Sequence, residues 1–253
     1  MLLTIDVGNT NIKLGIFDRE NLIHEFRFST VVKTADEYSF ELFSLFNMIN
    51  LDIKEITGCA ISSVVPAVTH RLSKAIAGLL NIEPLVVGPG VKTGLNITID
   101  DPSTLGSDLV AGCVAMSKLY STPCIFISMG TATVLSVLDK NSNMCGCIIS
   151  PGVRISLNAL TSSGALLSSV AMTPPEHAIG KNTGDSIKSG IVLGNACMID
   201  GLIEKIEEQL GEPCSVVASG GYAETVIKIC SHKIDIKDDL IMHGLRIIYE
   251  KNT

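Results

Sequence analysis

The sequence lacks the usual marks of nucleic-acid-binding, membrane and secreted proteins. It has no cluster of Lys or Arg, and its formal net charge is −7, which disfavours attraction to nucleic acid or to an anionic membrane. It has no apolar run of the roughly 18 residues that a membrane span requires. The first six residues lack the basic start and small-residue cleavage site of a signal peptide. We therefore expect a cytoplasmic protein with neither a nucleic-acid nor a membrane partner.

The eight cysteines do not form a recognisable metal or disulfide pattern. No C-x-x-C is present, and the closest pair is Cys145-Gly146-Cys147. Most of the cysteines lie within apolar runs, so we expect reduced and buried thiols. For the close pair we expect a strand with small inward side chains, because two cysteines alone are a weak indication of a metal site.

The chain is long enough to bury a large core. It has 253 residues, of which 46% are hydrophobic and 18% charged, enough for one large domain or two modest ones. Apolar spacing predicts a strand over residues 58–65, a helix capped near Thr34 or Asp36, and two helices over residues 184–197 and 198–210. No linker separates these elements, so the chain reads as a continuous α/β protein.

An internal repeat divides the chain. Residues 5–15 resemble residues 127–137, and the two central glycines, Gly8 and Gly130, are about half a chain apart. Both stretches predict a strand, a glycine turn and a second strand. We infer two similar α/β halves facing each other across a cleft, residues 1–118 and residues 119–253.

The two predicted turns suit phosphate binding. A glycine turn lets backbone N–H groups approach phosphate oxygens closely. Asp6, at the end of the first strand, is suited to hold Mg²⁺ directly or through water. Lys13 either reaches a phosphate or points to solvent. Either turn alone also fits an ordinary hairpin, so the inference depends on their repetition. The candidate polar donors are Asn9, Thr10, Thr131 and Thr133.

Two further motifs complete the pattern. Ser219-Gly220-Gly221 follows a predicted strand, where a flat adenine would lie close to the backbone. Asp108 follows Gly106-Ser107 at the start of a predicted helix, whose N-terminus stabilises an ionised carboxylate. Such a carboxylate can accept a proton from a substrate hydroxyl or orient it. A capping role for Asp108 is the simpler alternative.

Taken in chain order, these motifs resemble those of the type III pantothenate kinases of the actin-like kinase superfamily. The first phosphate motif matches residues 6–11, the substrate loop residues 88–95 and the second phosphate motif residues 130–133. The catalytic-aspartate motif matches residues 106–108. The remaining matches are Pro151-Gly152, Gly180-Lys181-Asn182-Thr183, Ser219-Gly220-Gly221 and Gly244-Leu245.

The resemblance implies an α/β fold with two ribonuclease-H-like (actin-like ATPase) halves around a nucleotide cleft. It implies a homodimeric kinase that uses ATP and Mg²⁺ to phosphorylate pantothenate, the first step of coenzyme A biosynthesis. Asp108 would be the catalytic proton acceptor, and Gly106, Ser107, Asp108 and Leu109 would contact pantothenate. Thr183 would touch pantothenate bound to the partner subunit. The expected ATP-binding residues are Asp6, Val7, Gly8, Asn9, Thr10, Asn11, Ile12, Lys13, Thr131, Gly220 and Gly221.

Four positions depart from the family pattern. Leu109 replaces an Arg expected to hold the substrate carboxylate, and Ser128 replaces an Asp that binds an activating K⁺ or NH₄⁺. Val134 replaces a Thr, and Ile99 replaces an aromatic residue. We therefore expect Asp6 to bind metal, and Ser128 to support little or no dependence on a monovalent cation.

These departures leave alternatives open. The chain could be a non-catalytic or regulatory paralogue that retains the nucleotide pocket, or a kinase of a related small hydroxy acid. Arg154, which follows Pro151-Gly152, either compensates for Leu109 or is a solvated residue at the start of a helix.

Overall fold

Two compact units make up the fold in a computed structural model, which describes residues 1–163 and 170–253. The first unit contains residues 1–94, 101–115 and 239–253, and the second contains residues 95–100 and 116–238. The predicted α/β class is confirmed. The repeat predicts a boundary between residues 118 and 119. The two compact units do not follow this boundary, because the C-terminal helix packs on the first sheet.

The first unit is built on a five-stranded sheet of order β3-β2-β1-β4-β5. β1 runs antiparallel to β2 and parallel to β4, so it occupies the centre of the sheet. Both faces are covered, so these central strands read as nearly continuous apolar runs. The strands are β1 (Leu2–Val7), β2 (Asn11–Asp18), β3 (Asn21–Ser29), β4 (Gly58–Ser63) and β5 (Leu85–Val86).

Two helices, α1 (Ala35–Met48) and α2 (Pro66–Leu80), cover one face of this sheet. Thr34 caps α1 through a capping box with Glu37, as the sequence predicts for Thr34. The predicted strand over residues 58–65 ends earlier, at Ser63, because Pro66 occupies the first turn of α2, where its missing N–H is no loss.

The C-terminal helix α8 (Leu240–Glu250) covers the opposite face, beside α3 (Ser107–Leu119). Gly244 lies against the backbone of Ala111, and a Cβ there would be 1.9 Å from the Ala111 carbonyl oxygen. Met242 contacts the hydroxyl of Thr4 in the central strand. The sequence did not predict α8, although its apolar residues recur at helical spacing.

The second unit is built on a six-stranded sheet of order β11-β10-β7-β8-β9-β6. Its strands are β6 (Asn96–Ile97), β7 (Cys124–Met129), β8 (Ala132–Leu138), β9 (Asn143–Pro151), β10 (Ser215–Ser219) and β11 (Asp235–Ile236). Helix α4 (Val153–Ser163) follows β9, and the short α7 (Ala223–Val226) follows β10. The predicted end of α4 near residue 167 lies outside the described residues.

The predicted break between residues 197 and 198 is wrong. Residues 183–210 form one continuous helical stretch: α5 (Thr183–Lys188), a π-helical segment (Ser189–Leu193) and α6 (Gly194–Leu210). By length and composition alone this stretch could cross a membrane. A buried core helix has the same features, and one side of the stretch lies in the core of the second unit. The core residues are Ile187, Ile191, Val192, Ala196, Ile199, Ile203 and Ile206.

The cysteines differ in part from the expectation. Cys59, Cys113 and Cys124 are buried, and all eight are free thiols. Cys145 and Cys147 are exposed, because alternate residues of β9 point away from the core and both fall on the outward side. Cys197 is exposed as well.

Candidate active site

Asp6 occupies the penultimate position of the central strand of the first unit. It lies opposite Lys13 on β2 and Ser62 on β4, so the three side chains share one face of the sheet. The Ser62 hydroxyl donates a hydrogen bond of 2.5 Å to Asp6 Oδ1, and Asp6 is only 9% exposed. The register places Lys13 on the same face of the sheet as Asp6.

The environment of Asp6 disfavours its charge. The pKa of Asp6 is raised to about 6, mainly by burial. The Ser62 hydrogen bond opposes this rise, while the neighbouring charge of Asp108 adds to it and that of Lys13 opposes it. A divalent cation would stabilise the ionised form, so this donor fits Mg²⁺, which uses one or two carboxylates and retains water. Such a site needs few protein ligands, and the described residues contain no group of three His, Cys, Asp or Glu side chains that could bind a metal.

The first glycine turn, residues 8–11, is held in place by hydrogen bonds from the residue that follows β3. The Gly8 N–H donates to the Asn11 carbonyl oxygen at 3.0 Å. Thr30, just after β3, donates from its hydroxyl to the Gly8 carbonyl oxygen at 2.7 Å and from its N–H to the Thr10 carbonyl oxygen at 2.9 Å. The side chains of Asn9, Thr10 and Asn11 are exposed. Those of Val7 and Ile12 belong to the core, so only their main chains can face a nucleotide.

Asp108 is brought to the same edge by Ser107. The Ser63 N–H donates to the Ser107 hydroxyl at 2.8 Å, and this hydroxyl donates to the Ser63 carbonyl oxygen at 3.2 Å. These bonds fasten the start of α3 to the end of β4, the strand beside β1. Asp108 thus lies near enough to Asp6 for its charge to raise the pKa of Asp6.

The carboxylate of Asp108 is itself partly buried. Burial raises its pKa, and hydrogen bonds from the Leu109 N–H and from its own N–H oppose the rise. The carboxylate lies over Gly106, where a Cβ would be 2.4 Å from Asp108 Oδ1. Glycine is therefore required at position 106 for this side-chain position. The arrangement gives an acceptor that is hydrogen-bonded and also shielded from water.

Leu109 turns inward and is only 9% exposed. It packs as an apolar side chain and cannot pair with an anion. Position 109 in the first turn of α3 therefore supplies no cation.

The second turn, in the second unit, is one residue tighter than the first. The Gly130 N–H donates to the Ala132 carbonyl oxygen at 3.0 Å, and Met129 pairs with Thr133. Thr131 is exposed, whereas the hydroxyl of Thr133 is buried without a hydrogen-bond partner among the described residues. Thr133 is therefore not an exposed donor, contrary to the sequence prediction, because the shorter turn places it inside the sheet.

Two other glycines pack against this turn. A Cβ on Gly152 would be 2.4 Å from the Thr131 carbonyl oxygen, and a Cβ on Gly220 would be 2.3 Å from that of Met129. Gly220 also has φ of 122°, a conformation that favours glycine. The starts of α4 and of the segment after β10 are therefore fixed beside the second turn.

Ser128 lies at the end of β7, in register with Ser219 of β10. Asp238 lies beside the residue after Ser219, and its Oδ1 accepts from the Gly220 N–H at 3.2 Å. Ser219 donates to the Asp238 carbonyl oxygen at 3.5 Å. Position 128 therefore provides a hydroxyl, and Asp238 is the carboxylate that binds the neighbouring strand end at Gly220.

The remaining predicted residues also lie in the second unit. Thr183 is exposed at the first position of α5, which Asn182 caps by accepting from the Asp185 N–H at 2.9 Å. Gly221 is exposed, and a Cβ there would meet nothing within 4 Å. Arg154 is exposed on α4, and its Nε donates to the Tyr222 hydroxyl at 3.0 Å.

Sequence reasoning missed four positions that shape these sites: Ser62, Thr30, Asp238 and Tyr222. Ser62 follows from the parallel register of β1 and β4, which no local pattern reveals. Tyr222 could have been identified from the sequence, because it immediately follows the Gly220-Gly221 motif.

Comparisons with known proteins identify the family. The family model described as "Type III pantothenate kinase" matches residues 2–205. A relative from Exiguobacterium sp., named type III pantothenate kinase, is 40% identical, and the match covers 100% of this chain and 99% of the relative. A second, from Halalkalibacterium halodurans, has the same name and is 38% identical, with 100% of both chains covered.

Solved structures agree on the fold. A protein from Campylobacter jejuni described as a conserved putative Baf family transcriptional activator has a TM-score of 0.62 at 17% identity, covering 99% of this chain and 98% of that chain. The activator of 2-hydroxyisocaproyl-CoA dehydratase from Clostridium difficile, solved with bound ADPNP, has a TM-score of 0.54 at 12% identity and covers 99% and 96%. With the expected α/β fold in place, the full-length sequence matches show that the chain belongs to the type III pantothenate kinase family.

Proposed function

We propose that this chain transfers the γ-phosphoryl group of ATP to pantothenate and forms 4′-phosphopantothenate, the first step of coenzyme A biosynthesis. The observation that carries the proposal is the pairing of Asp6 and Asp108 at one edge of the first sheet, where each has a raised pKa. Perturbed carboxylates at one site are typical of a site built for chemistry. The relatives' names supply the substrate.

The two carboxylates have different roles. Asp6, buried and bonded to Ser62, would hold Mg²⁺ directly or through water. When bound, this ion neutralises charge on the phosphate oxygens. Asp108 accepts the proton of the substrate hydroxyl or orients that hydroxyl for attack. Its position over Gly106 and the hydrogen bond from the Leu109 N–H hold the carboxylate in place.

Phosphate binding falls to backbone and hydroxyl donors. The first turn offers the main chain of residues 9 and 10 and the exposed side chains of Asn9 and Thr10, and Lys13 lies beside Asp6. The second unit offers Thr131 and the main chain of Gly220 and Gly221. A chain with a net charge of −7 needs such local donors to bind an anion.

Pantothenate would contact Gly106, Ser107 and Leu109 as well as Asp108. The Ser107 hydroxyl already bonds to Ser63, so its main role is to fix the start of α3. We also propose a homodimer in which Thr183 reaches pantothenate bound to the partner subunit, and a cytoplasmic location.

A second candidate function is a non-catalytic paralogue that retains the nucleotide site. The inward, apolar Leu109 favours it, because it leaves the pantothenate carboxylate without the expected cation. The test is an ATP-consumption assay with pantothenate, with and without K⁺ or NH₄⁺. Pantothenate-dependent turnover supports the kinase. If Mg·ATP binds by calorimetry and pantothenate causes no turnover, the paralogue is the better account.

A further inference from the structure

The end of β4 carries two serines whose side chains face opposite sides of the first sheet. Ser62 donates to Asp6, whereas Ser63 directs its hydroxyl toward helix α2, because successive side chains of a strand alternate. The roles proposed above use the main chain of Ser63 and leave its hydroxyl unassigned. The contacts of this residue lead from α2 to the start of α3, where Asp108 lies.

The Ser63 hydroxyl is held by Thr69, in the first turn of α2. The two hydroxyls share a hydrogen bond of 2.5 Å, and the Thr69 hydroxyl also donates to the Val65 carbonyl oxygen at 3.0 Å. The Val65 N–H in turn donates to the Ser63 hydroxyl at 3.0 Å. Val65 is the N-cap residue of α2 and has no polar side chain with which to cap it. The hydroxyls of Ser63 and Thr69 therefore bind the polar groups of this turn.

The main chain of Ser63 points to Ser107. On the edge of β4 that faces β5, the Ile61 carbonyl oxygen accepts from the Val87 N–H at 2.8 Å. β5 pairs no further along than this residue. Two residues on, the Ser107 hydroxyl bonds to both the N–H and the carbonyl oxygen of Ser63, at 2.8 and 3.2 Å. The orientation of Ser63 therefore determines where α3 begins, and Asp108 is the residue that follows Ser107.

We propose that Thr69 is a positioning residue that, through Ser63, fixes the start of α3 and so orients the carboxylate of Asp108. The inference rests on the proposed function, in which Asp108 accepts the proton of the substrate hydroxyl or orients that hydroxyl. Loss of the Thr69 hydroxyl frees Ser63 to rotate and moves the carboxylate. A displacement of about 1 Å at a reacting group can cost on the order of 100-fold in rate.

The test compares Thr69→Val, which removes the hydroxyl at nearly constant shape, with Thr69→Ser, which keeps it. The control is Ser73→Ala, one turn further along α2, where the hydroxyl is buried without a hydrogen-bond partner among the described residues. We expect Thr69→Val to lower kcat for pantothenate-dependent ATP use about tenfold. Both KM values, and the stoichiometry of Mg·ATP binding by calorimetry, should stay within about twofold of the wild type, as should kcat in Thr69→Ser and Ser73→Ala.

A role exerted through Asp108 has a kinetic signature that a general loss of structure lacks. In an Asp108→Asn background, Thr69→Val should reduce the residual turnover by less than about twofold, because the group that it orients is already gone. A further tenfold loss in that background overturns the proposal. So does an unchanged kcat for Thr69→Val, or a raised KM for pantothenate at constant kcat.

Amide hydrogen exchange separates failure of this inference from failure of the proposed function. In Thr69→Val, the N–H groups of Ser63 and Leu109 should exchange at least about fivefold faster, while those of β10 in the second unit keep their wild-type rates. That result supports the positioning even if the wild type does not phosphorylate pantothenate, in which case the proposed function alone falls. Unchanged exchange at both amides overturns the inference, and pantothenate-dependent turnover of the wild type then still supports the function.

Discussion

Asp6 is a buried carboxylate whose ionisation lowers the stability of the ligand-free protein. Its pKa is raised from 3.8 to about 6, mainly by burial. A raised carboxyl pKa means that the neutral form stabilises the fold fully below about pH 4, and that this stability is lost as the pH rises through about 6. The rise corresponds to at most about 3 kcal/mol at neutral pH. Cation binding at Asp6 would offset this loss.

Asp6→Asn should therefore stabilise the ligand-free protein at pH 7.5, because the amide stays neutral and can still accept from Ser62. We expect an increase in the free energy of unfolding of about 1–3 kcal/mol that disappears below about pH 4. Urea titrations at several pH values would measure it, with Asp18→Asn, at the exposed end of β2, as the control. Equal stability of Asp6→Asn and wild type at pH 7.5 would contradict the burial argument.

The same substitution should remove activity. Asp6, in β1 beside the first turn, is the carboxylate that we propose to hold Mg²⁺, and losing such an electrostatic group reduces turnover by roughly 100-fold or more. Steady-state assays of pantothenate-dependent ATP use would measure this reduction. Near-normal turnover in a folded Asp6→Asn protein would show that another group holds the metal.

Leu109→Arg tests the loss of the carboxylate partner. Charge-assisted contacts of this kind are worth on the order of 2–5 kcal/mol when buried, so we expect KM for pantothenate to fall by more than about tenfold. Because Leu109 packs inward, the variant should lose about 1–3 kcal/mol of stability. Leu109→Met, of similar volume and no charge, is the matched control. An unchanged KM in the folded Arg variant would mean that the acid is bound elsewhere.

At the scale of elements, the adjacent glycines Gly220 and Gly221 differ in the space available for a side chain. A Cβ at Gly220 would overlap the Met129 backbone, whereas Gly221 has open space. Gly220→Ala should therefore displace the segment after β10 from the second turn, lower the melting temperature and weaken Mg·ATP binding by tenfold or more. Gly221→Ala should change both by little. Thermal unfolding and calorimetry on the pair would check this, and equal effects would contradict the packing argument.

We propose that Ser128, in the second hairpin, limits the response to monovalent cations. Ser128 offers a hydroxyl where the family has a carboxylate, so we expect less than about twofold stimulation by K⁺ or NH₄⁺. Ser128→Asp should introduce saturable stimulation, measured as rate against K⁺ concentration at constant ionic strength. Strong activation of the wild type at millimolar K⁺ would instead implicate Asp238, which adjoins Gly220.

The element boundaries show what local patterns can and cannot provide. The Thr34 cap is a local signal, so it was predictable. β3 was missed although its partly buried residues alternate, and α8 was missed although its apolar residues recur at helical spacing. The false break near residue 197 falls inside one continuous helical stretch that contains a π-helical segment at residues 189–193.

At the scale of the whole molecule, we expect a homodimer. The second unit exposes several large apolar side chains, among them Ile149 at 68% and Ile179 at 84%. We also propose that Thr183 acts on the partner subunit. Sedimentation at micromolar concentration should give twice the chain mass of 26.8 kDa. A species of single-chain mass alone would contradict this expectation.

The fold class was predictable because two phosphate-type hairpins repeat at half-chain spacing. The spatial arrangement of the site residues was not predictable in the same way. Asp6 and Asp108 come from motifs, but their proximity depends on the Ser63–Ser107 bonds between residues 44 positions apart in the chain. Likewise, the inward position of Leu109 depends on how α3 packs, and the motif alone gives no measure of it.

The return of α8 to the first sheet has a consequence for biosynthesis. The strands of the first unit precede those of the second, yet the helix that covers one face of its central strands, residues 240–250, follows every strand of both sheets. The second unit, whose sheet ends at Ile236, can therefore complete its core before α8 is synthesised. The face of the first sheet that bears Asp6 is covered only after both sheets have been translated.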